Sequence, residues 1–338
     1  MKFAVTGGGT GGHLAIAAAL QEALVQRGHE AVFIGSISGQ DRMWFEEYSG
    51  FSHTYFLSTT GVVNQRGWRK LSALWRIFKA FLYSRKLLRQ HQVKAVISVG
   101  GFSAAPASLA ALSRFTPLFI HEQNAKTGRL NRMLQRYAKA FFSSYDDASP
   151  VKAYPVANAL FRKARLRKKL ERIIFLGGSQ GATYINDLAL SLAPLLKERG
   201  IAMTHQCGER DFERLKEAYA VMGADVKLVA FTKELPSLLA ESDLAVSRAG
   251  ASTLWELCAN GLPAFFIPYP YAADDHQFHN ALFIVKKELG WCERQGDGLE
   301  AELLSVLDED LETRSSSLMK LIEPNGAEQI IKTIEGVF

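Results

Sequence analysis

The chain has 338 residues, 48% hydrophobic and 22% charged, a balance typical of a well-packed protein of about two domains and not of a disordered chain. Its three cysteines, Cys207, Cys258 and Cys292, are widely spaced with no C-x-x-C pair, which argues against a disulfide framework and against a zinc site. The formal net charge of +6 is modest, but between Tyr48 and His121 there is no Asp or Glu while ten Lys and Arg occur, and this asymmetry predicts an anionic partner.

The first predicted element is a strand followed by the glycine loop GGGTGGH, residues 7 to 13. A single lysine and a few apolar residues precede the loop, so we expect no signal peptide and a cytosolic start. Gly7, Gly9 and Gly12 satisfy G-x-G-x-x-G, the pattern of a dinucleotide site. The next predicted strand ends without a carboxylate for ribose hydroxyls, and no Lys-Ser or Lys-Thr follows the loop. A dinucleotide is therefore disfavoured but stays as a redox alternative, and a Walker A site is excluded.

His13 closes the loop and lies in the predicted first turn of the following helix. Backbone N–H groups of such a loop and helix start can hold an anion or approach a sugar closely. The positive end of the helix dipole disfavours an imidazolium there, which leaves a neutral ring able to accept a proton at pH 7. Two interpretations stay open: His13 is a general base, or it only caps or hydrogen-bonds its loop.

The acid-free segment contains a predicted amphipathic helix, WRKLSALWRIFKAFLYSRKLLRQ, that begins at residue 68. Its apolar residues recur at spacings of three and four; they are Trp68, Leu71, Trp75, Phe78 and Leu82. Aromatic residues beside Lys and Arg are typical of a helix that lies on an anionic bilayer, and an ordinary half-buried helix is the alternative. No apolar run reaches the roughly 18 residues needed to span a membrane, so we expect membrane contact to be peripheral.

Short apolar runs alternate with helical stretches along the chain, which predicts an α/β fold with parallel sheets. Further strands are predicted at 31–35, 95–99, 118–120, 173–176, 228–231, 244–246 and 264–267. From Arg172 a strand, a glycine-rich turn and a helix repeat the opening unit, so we expect two Rossmann-like domains that face a cleft. The basic segment 156–172 is predicted to be a linker. The last helix, after Pro324, could pack on either domain.

Five segments in a fixed order carry a more specific signal; they are SVGGFSAAP (98–106), HEQNAKTGRLNR (121–132), GGSQGA (177–182), SRAGASTLWE (247–256) and DDHQFHNA (274–281). Together they resemble the MurG family of N-acetylglucosaminyltransferases, glycosyltransferase family 28, which convert lipid I to lipid II in peptidoglycan synthesis. The resemblance implies a GT-B fold, UDP-N-acetylglucosamine (UDP-GlcNAc) as donor, and lipid I, an undecaprenyl-diphosphate-linked muramyl pentapeptide, as acceptor. It implies an acceptor- and membrane-binding domain over 1–157, on which helix 325–338 could pack back, and a donor-binding domain over 158–324.

The resemblance also implies a set of donor-binding residues in both halves of the chain. These are Thr10, Gly11, Gly12, Asn124, Ser179, Gln180, Gly181, Arg248, Ala251, Ser252, Thr253, Glu256, His276, Gln277 and Asn280. The helix start at Ala251 would hold the diphosphate. Glu256 would accept both ribose hydroxyls, with a solvent-exposed helix glutamate as the alternative.

The implied reaction is an inverting transfer, in which the C4 hydroxyl of the muramyl sugar attacks the anomeric carbon and UDP departs from the opposite face. One displacement needs one base, and His13 is our candidate. The implied acceptor-binding residues are Gly100, Gly101, Ser103, His121, Glu122 and Gln123. Glu122 could instead be a buried structural carboxylate paired with an arginine. We expect no metal and no cofactor, and the one D-x-D spelling, 308–310, lies in a polar stretch that we discount.

One segment departs from the family pattern. Relatives carry Asn-Pro-Val-Arg at the domain junction, whereas this chain reads VANALFRK, so Asn158 persists and Arg162 is the candidate to replace the missing arginine.

The expected partners are UDP-GlcNAc, lipid I and an anionic membrane surface at the cytoplasmic face of the bacterial inner membrane. Nucleic acid is not expected, because no RNA-binding or helix-turn-helix motif accompanies the basic charge. A glycosyltransferase with another lipid acceptor remains an alternative.

Overall fold

The structure, a computed structural model, describes most of the chain; the described residues are 1–59, 68–178, 181–232 and 234–338. They form two compact units. The N-terminal unit contains Met1–Val156 and Asn325–Phe338, and the C-terminal unit contains Ala157–Pro324. The chain therefore leaves the first unit, builds the second, and returns to the first.

The N-terminal unit is built on one six-stranded parallel sheet. Its strands are β1 (Lys2–Thr6), β2 (Glu30–Ser36), β3 (His53–Leu57), β4 (Ala95–Ser98), β5 (Leu118–Glu122) and β6 (Ala140–Ser143). Its helices are α1 (Gly11–Gln26), α2 (Asp41–Phe45), α3 (Trp68–Gln90), α4 (Ala105–Ser113), α5 (Arg129–Leu134) and, from the end of the chain, α14 (Gly326–Glu335). The spatial order of the strands is β3-β2-β1-β4-β5-β6.

The C-terminal unit repeats this plan. Its strands are β7 (Arg172–Leu176), β8 (Ala202–Gln206), β9 (Val226–Val229), β10 (Leu244–Ser247), β11 (Ala264–Phe266) and β12 (Trp291–Cys292). Its helices are α6 (Asn158–Arg162), α7 (Thr183–Glu198), α8 (Phe212–Val221), α9 (Leu235–Glu241), α10 (Ala251–Asn260), α11 (His276–Val285), α12 (Leu299–Val306) and α13 (Glu312–Leu321). The spatial order is β12-β11-β10-β7-β8-β9, again with parallel pairs.

Counted within its own unit, each sheet has the strand order 3-2-1-4-5-6 of the Rossmann fold. This confirms the predicted fold class. Ligands of such sheets bind beyond the carboxyl ends of the strands, where the strand order reverses. In these units the reversal lies between β1 and β4 and between β7 and β10, so the loops that follow these four strands, each of which contains glycine, occupy the expected ligand positions.

The cores consist of the central strands and the helices that cover both faces of each sheet. Phe3, Ala4 and Val5 of β1 are fully buried, as are Ile173 and Phe175 of β7. A parallel strand covered on both faces has no polar side to present to water, which explains the continuous apolar runs in these segments. The same runs made these strands predictable from the sequence.

Polar strands were harder to predict. The expected strand at 228–231 is displaced, because β9 spans Val226–Val229. Strand β8 was not predicted at all, since it contains a threonine, a histidine and a glutamine, all of them buried. His205 of this strand contacts Tyr219 Oη at 2.9 Å and Asn186 Oδ1 at 3.0 Å, and burial lowers the pKa of His205 to about 4. Two side chains distant in the sequence thus satisfy the buried His205 ring of β8.

The prediction that 156–172 is a linker is wrong. Arg167 is fully buried in the C-terminal unit, where its guanidinium donates to the backbone carbonyls of Leu239 at 3.0 Å and Ser242 at 3.2 Å and also to Asn260. Burial lowers the pKa of Arg167 to about 9, which leaves the side chain charged at neutral pH. Because carbonyls remote in the sequence satisfy this charge, a basic segment becomes part of the core.

The C-terminal helix α14 packs on α1 of the N-terminal unit. Its apolar face, Ile330, Ile331 and Ile334, is fully buried. Arg27 donates to Glu335 at 2.6 and 2.9 Å, and His29 lies 2.7 Å from the same carboxylate. These contacts, with the Arg27 hydrogen bond as the largest cause, lower the pKa of Glu335 to about 2.

Candidate active site

Two glycine loops of the N-terminal unit lie backbone to backbone after β1 and β4. The Gly8 N–H donates to the Gly100 carbonyl at 3.1 Å. A Cβ atom at Gly7 would lie 2.4 Å from the Gly100 oxygen, and one at Gly101 would lie 2.2 Å from the Gly8 oxygen. Both positions also have positive φ, 122° and 80°. Any side chain there would force the loops apart, so the packing of the two loops requires glycine.

A buried carboxylate that sequence reasoning missed lies against the first loop. Asp41, at the start of α2, is fully buried, and it accepts hydrogen bonds from the Gly9 N–H and, at 2.8 Å, from the Ser36 N–H. Burial raises the pKa of Asp41, and these hydrogen bonds oppose that rise. Strand β2 itself ends without a carboxylate, as predicted, but Asp41 folds back onto the end of the strand from five residues beyond it.

His13 is held on more than one side within the N-terminal unit. Its Nδ1 lies 2.9 Å from Thr10 Oγ1, and Gln123 Nε2 lies 3.2 Å from Nδ1 and 3.0 Å from Nε2. An amide nitrogen almost equally distant from both ring nitrogens lies over the face of the ring and not along one lone pair. A Cβ atom at Gly100 would approach Nε2 to 3.4 Å. The loop contact that sequence analysis considered is present, and the ring position is fixed.

Glu122, at the end of β5, shapes the segment that follows it. It is buried, with Oε1 accepting from the Asn124 N–H and Oε2 accepting from the Gly128 N–H and from Asn131 Nδ2, each at 2.9 Å. Both carboxylate oxygens thus bind amide groups of the following segment. Glu122 positions Gln123 and Asn124, and these three partners are amide groups.

Two side chains predicted to bind the acceptor lie below the surface. His121 is buried and packs edge-on against Tyr154, with 5.6 Å between ring centroids, and burial lowers its pKa to about 3. Ser103 is buried in the short 3-10 helix before α4. Neither side chain is accessible from solvent, so neither could contact a ligand in this conformation. The structure brings the backbone of Gly100 together with His13 and Gln123.

In the C-terminal unit a pocket of about 180 Å³ opens beside the glycine turn that follows β7. It is lined by Leu176, Gly178, Gln206, Phe231, Thr232, Leu235, Thr253 and Glu256. Glu256 is half-buried on α10, so the alternative of a fully solvent-exposed glutamate is wrong. Burial alone raises the pKa of Glu256 to about 7. A carboxyl group in this state can donate or accept hydrogen bonds near neutral pH.

Gln206, a second residue that sequence reasoning missed, fixes two sides of this pocket. Its Oε1 accepts from the Gly178 N–H at 3.0 Å, and its Nε2 donates to the carbonyls of Gly178 and Ala230, each at 2.9 Å. One amide side chain therefore ties the glycine turn after β7 to the segment after β9. No sequence motif marks this role, because the two partner residues, Gly178 and Ala230, lie in distant parts of the chain.

The helix α10 begins at Ala251, directly after β10, and its first-turn N–H groups lie beyond the end of that strand. The Arg248 guanidinium is bound by other groups of the same unit, because its Nη1 donates to the carbonyls of Ile267 and Pro268 and to Gln295 at 3.1 to 3.2 Å. Ser252 and Thr253, predicted to bind the donor, are half-buried in the same first turn.

The predicted sugar-binding residues of α11 have structural contacts. Gln277 Oε1 accepts from the Tyr269 N–H at 2.9 Å, and Asn280 is fully buried and donates to the Ala249 carbonyl at 3.1 Å. His276 Nδ1 lies 2.7 Å from the Ala273 carbonyl oxygen. None of the three lines the pocket beside Glu256.

The structure describes only some of the remaining residues that were predicted to bind the donor. Ser179 and Gln180 lie outside the described residues. Gly181 has φ +77°, and a Cβ atom there would lie 2.7 Å from the Cys207 carbonyl oxygen, so this turn requires glycine for packing as well as for conformation. Asn158 and Arg162 bound the short helix α6, and Arg162 is exposed.

The helix α3 presents an apolar surface to solvent. The five residues of its predicted stripe are all exposed, from 46% for Phe78 to 86% for Trp68. The same helix and α4 border an apolar pocket of about 940 Å³, whose rim includes Phe115, 97% exposed, and Lys139. The stripe is therefore not core, and the alternative of an ordinary half-buried helix is wrong for these five residues.

Within the described part of the chain, no helix is long and apolar enough to cross a bilayer. No group of three or more His, Cys, Asp or Glu side chains among those residues is arranged to hold a metal ion.

Comparison with known proteins defines the class of this chain. Residues 3–143 match the N-terminal domain of glycosyltransferase family 28, and residues 172–334 match the C-terminal domain of that family. Two Rossmann-type units with these domains are those of a GT-B glycosyltransferase.

Similar proteins identify the family to which this chain belongs within the GT-B glycosyltransferases. A protein of Sulfurimonas denitrificans named UDP-N-acetylglucosamine–N-acetylmuramyl-(pentapeptide) pyrophosphoryl-undecaprenol N-acetylglucosamine transferase is 59% identical, over 99% of this chain and 98% of its own length. One of the same name from Wolinella succinogenes is 54% identical over 98% of both chains. The crystal structure of Acinetobacter baumannii MurG superposes with a TM-score of 0.80 at 29% identity, over 99% of both chains. The chain belongs to this family of N-acetylglucosamine transferases, the MurG family.

Proposed function

We propose that this enzyme transfers N-acetylglucosamine from UDP-GlcNAc to the C4 hydroxyl of the N-acetylmuramyl sugar of lipid I, with inversion, to form lipid II. The observation that carries the proposal is the 59% identity, over almost the whole of both chains, to a transferase whose name states this donor and this acceptor.

The C-terminal unit would bind the donor. The Glu256 carboxylate would accept the ribose hydroxyls at the pocket that it lines with Thr253. The first turn of α10 would hold the diphosphate, since its N–H groups and the helix dipole favour an anion without a metal ion. Ser179 and Gln180, which lie outside the described residues, would complete this nucleotide site.

The N-terminal unit would supply the base. In the proposed step the C4 oxygen bonds to the anomeric carbon as the bond from that carbon to the UDP oxygen breaks, and the hydroxyl proton passes to a ring nitrogen of His13. UDP departs with the bonding electron pair. His13 is suited to this role because the start of α1 favours its neutral form and Thr10 fixes the ring at 2.9 Å. Backbone N–H groups near Gly100, with Gln123, would bind the acceptor, and Asn124 would contact the donor.

The helix α3 would dock the enzyme on the cytoplasmic face of the inner membrane. Its exposed stripe, which includes Trp75 and Phe78, is interleaved with Arg76 and Lys79, which are also exposed. Inserted aromatic residues beside cations are the arrangement that binds an anionic bilayer. The apolar pocket next to the stripe, with Phe115 at its rim, enlarges the surface available to lipid. We therefore propose an anionic membrane, and not a nucleic acid, as the partner of the basic segment.

Transfer of radiolabelled N-acetylglucosamine to a lipid I analogue tests the reaction. We expect product with wild-type enzyme and a loss of at least about 100-fold in kcat for His13→Ala, within the range that general-base catalysis supplies, with UDP affinity unchanged. Wild-type enzyme that makes no product from a lipid I analogue would refute the proposed function. A His13→Ala variant with full turnover would remove only the base assignment.

Sedimentation with lipid vesicles tests the membrane proposal. Binding to phosphatidylglycerol vesicles and not to phosphatidylcholine vesicles is expected for wild type, and Trp75→Glu should abolish it. The matched control is Val221→Glu, which changes an exposed apolar residue of the C-terminal unit and should leave binding intact. Equal binding of wild type and Trp75→Glu would exclude α3 as the docking surface.

A further inference from the structure

The first glycine loop is not an open anion site in this structure. Loops of this kind, followed by a helix, present N–H groups that typically hold a phosphate or another external anion. Here the Gly9 N–H donates to the Asp41 side chain. A donor that would otherwise face a ligand is therefore satisfied by a carboxylate of the chain itself.

We propose that Asp41 is the built-in anion of the first glycine loop and acts as a positioning residue, which holds Thr10 and His13 in place for proton transfer. The inference rests on the proposed function, in which His13 is the base. Asp41 does not touch His13, so its effect passes through the backbone from Gly9 to Thr10 and then through the hydrogen bond from Thr10 to the ring.

The anchor of Asp41 is rigid. Its second oxygen accepts the Ser36 N–H at 2.8 Å, and the Ser36 hydroxyl donates to the Thr59 carbonyl at 3.0 Å. A Cβ atom at Gly8 would lie 2.5 Å from the carboxylate and one at Gly35 would lie 2.7 Å from it. The carboxylate thus joins the end of β2 to the loop after β1, and neither Gly8 nor Gly35 could carry a side chain without displacing it.

The charge of Asp41 has a second effect on the same loop. A carboxylate bonded to Gly9 repels a further anion from that N–H group. A further anionic group would therefore bind elsewhere than at the Gly9 N–H group.

Asp41→Asn is the first test, because it keeps the shape and removes one of the two acceptor oxygens. We expect kcat to fall by roughly 10- to 100-fold, the cost of a small misplacement of a catalytic group, while the Kd of UDP changes by less than about twofold because the nucleotide binds the other unit. The control is Asp147→Asn, an exposed aspartate of the same unit, which should keep wild-type kcat. A purely structural defect would lower the active fraction and not split kcat from UDP affinity.

Asp41→Ala with added formate is the second test, and it guards against misfolding of the first variant. Formate can occupy the vacated position as a free carboxylate, so we expect a saturable recovery of kcat of at least about tenfold that chloride at equal ionic strength does not give. Full kcat in Asp41→Asn, or no recovery of Asp41→Ala by formate, overturns the inference. Wild-type enzyme that transfers no sugar would instead refute the proposed function, so the two failures are distinguishable.

Discussion

Replacing Glu256 by glutamine should make the unliganded enzyme more stable at alkaline pH. In the folded chain, burial raises the pKa of Glu256 from 4.5 to about 7. The folded state therefore holds a proton that the unfolded state has already lost, and stability falls as pH rises from about 4.5 to about 7. Above that range the folded protein carries an ionised carboxylate in a poorly hydrated position. Glutamine has the same shape and no charge to bury.

The size of the effect follows from the pKa values. Each tenfold change in an acid dissociation constant is worth about 1.4 kcal/mol, so a rise from 4.5 to about 7 corresponds to roughly 3 kcal/mol. Because Glu256 is half-buried, water screens part of this cost, and we expect about 1–3 kcal/mol of added stability in the variant near pH 9. Near pH 4, where the carboxyl group is protonated in both states, the two proteins should be equally stable.

Urea unfolding of wild type and Glu256→Gln at several pH values measures this difference. The control is Glu217→Gln, an exposed glutamate on α8 of the same unit, which should show no such pH dependence. Saturating UDP should narrow or reverse this difference, since bound ligand stabilises the wild type by about 2.7 kcal/mol at 100 times its Kd and glutamine offers one acceptor oxygen in place of two to the ribose hydroxyls that we propose Glu256 binds. Equal stability of the two unliganded proteins near pH 9 would refute the argument that burial destabilises the carboxylate.

Three further changes test other parts of the structure. Arg167→Met should lower the free energy of unfolding by about 3 kcal/mol, because buried carbonyls lose a charged donor. Urea unfolding measures this, with Lys168→Met at an exposed position as the control. Equal free energies of unfolding for the two variants would contradict the prediction. Gln206→Leu should raise the Kd of UDP roughly tenfold in calorimetric titration, because it leaves backbone groups of the pocket unpaired, and an unchanged Kd would exclude the role. Glu335→Gln should cost about 1 kcal/mol at pH 7, and since Arg27 lowers the pKa of Glu335 to about 2, this difference in urea unfolding should shrink as pH falls from about 4.5 towards 2. A difference that is constant with pH would contradict the ion pair.

The fold was predictable because its signals are local. Buried parallel strands leave apolar runs such as Phe3–Val5, and the repeat that begins at Arg172 indicated a second unit of the same kind. The errors lie where distant side chains change the meaning of a local pattern. Strand β8 is polar because Asn186 and Tyr219 satisfy His205, and Arg167 is core because remote carbonyls surround it.

The site was predictable in part for the same reason. The glycine loops and His13 are contiguous in the sequence, and the structure brings Gly100 and Gln123 to His13. Asp41 and Gln206 carry no motif, since each acts on backbone groups that only the folded chain places within reach. Burial also cannot be read from residue type, as His121 illustrates.

The return of α14 to the first unit sets an order of assembly during synthesis. A ribosome releases the N-terminal sheet long before Asn325–Phe338, so the surface of α1 that will receive three isoleucines stays exposed to water until α14 emerges. The first unit to emerge is therefore the last to be completed. A polypeptide that lacks these fourteen residues would contain every group proposed for catalysis, but the apolar surface of α1 would stay exposed and could aggregate.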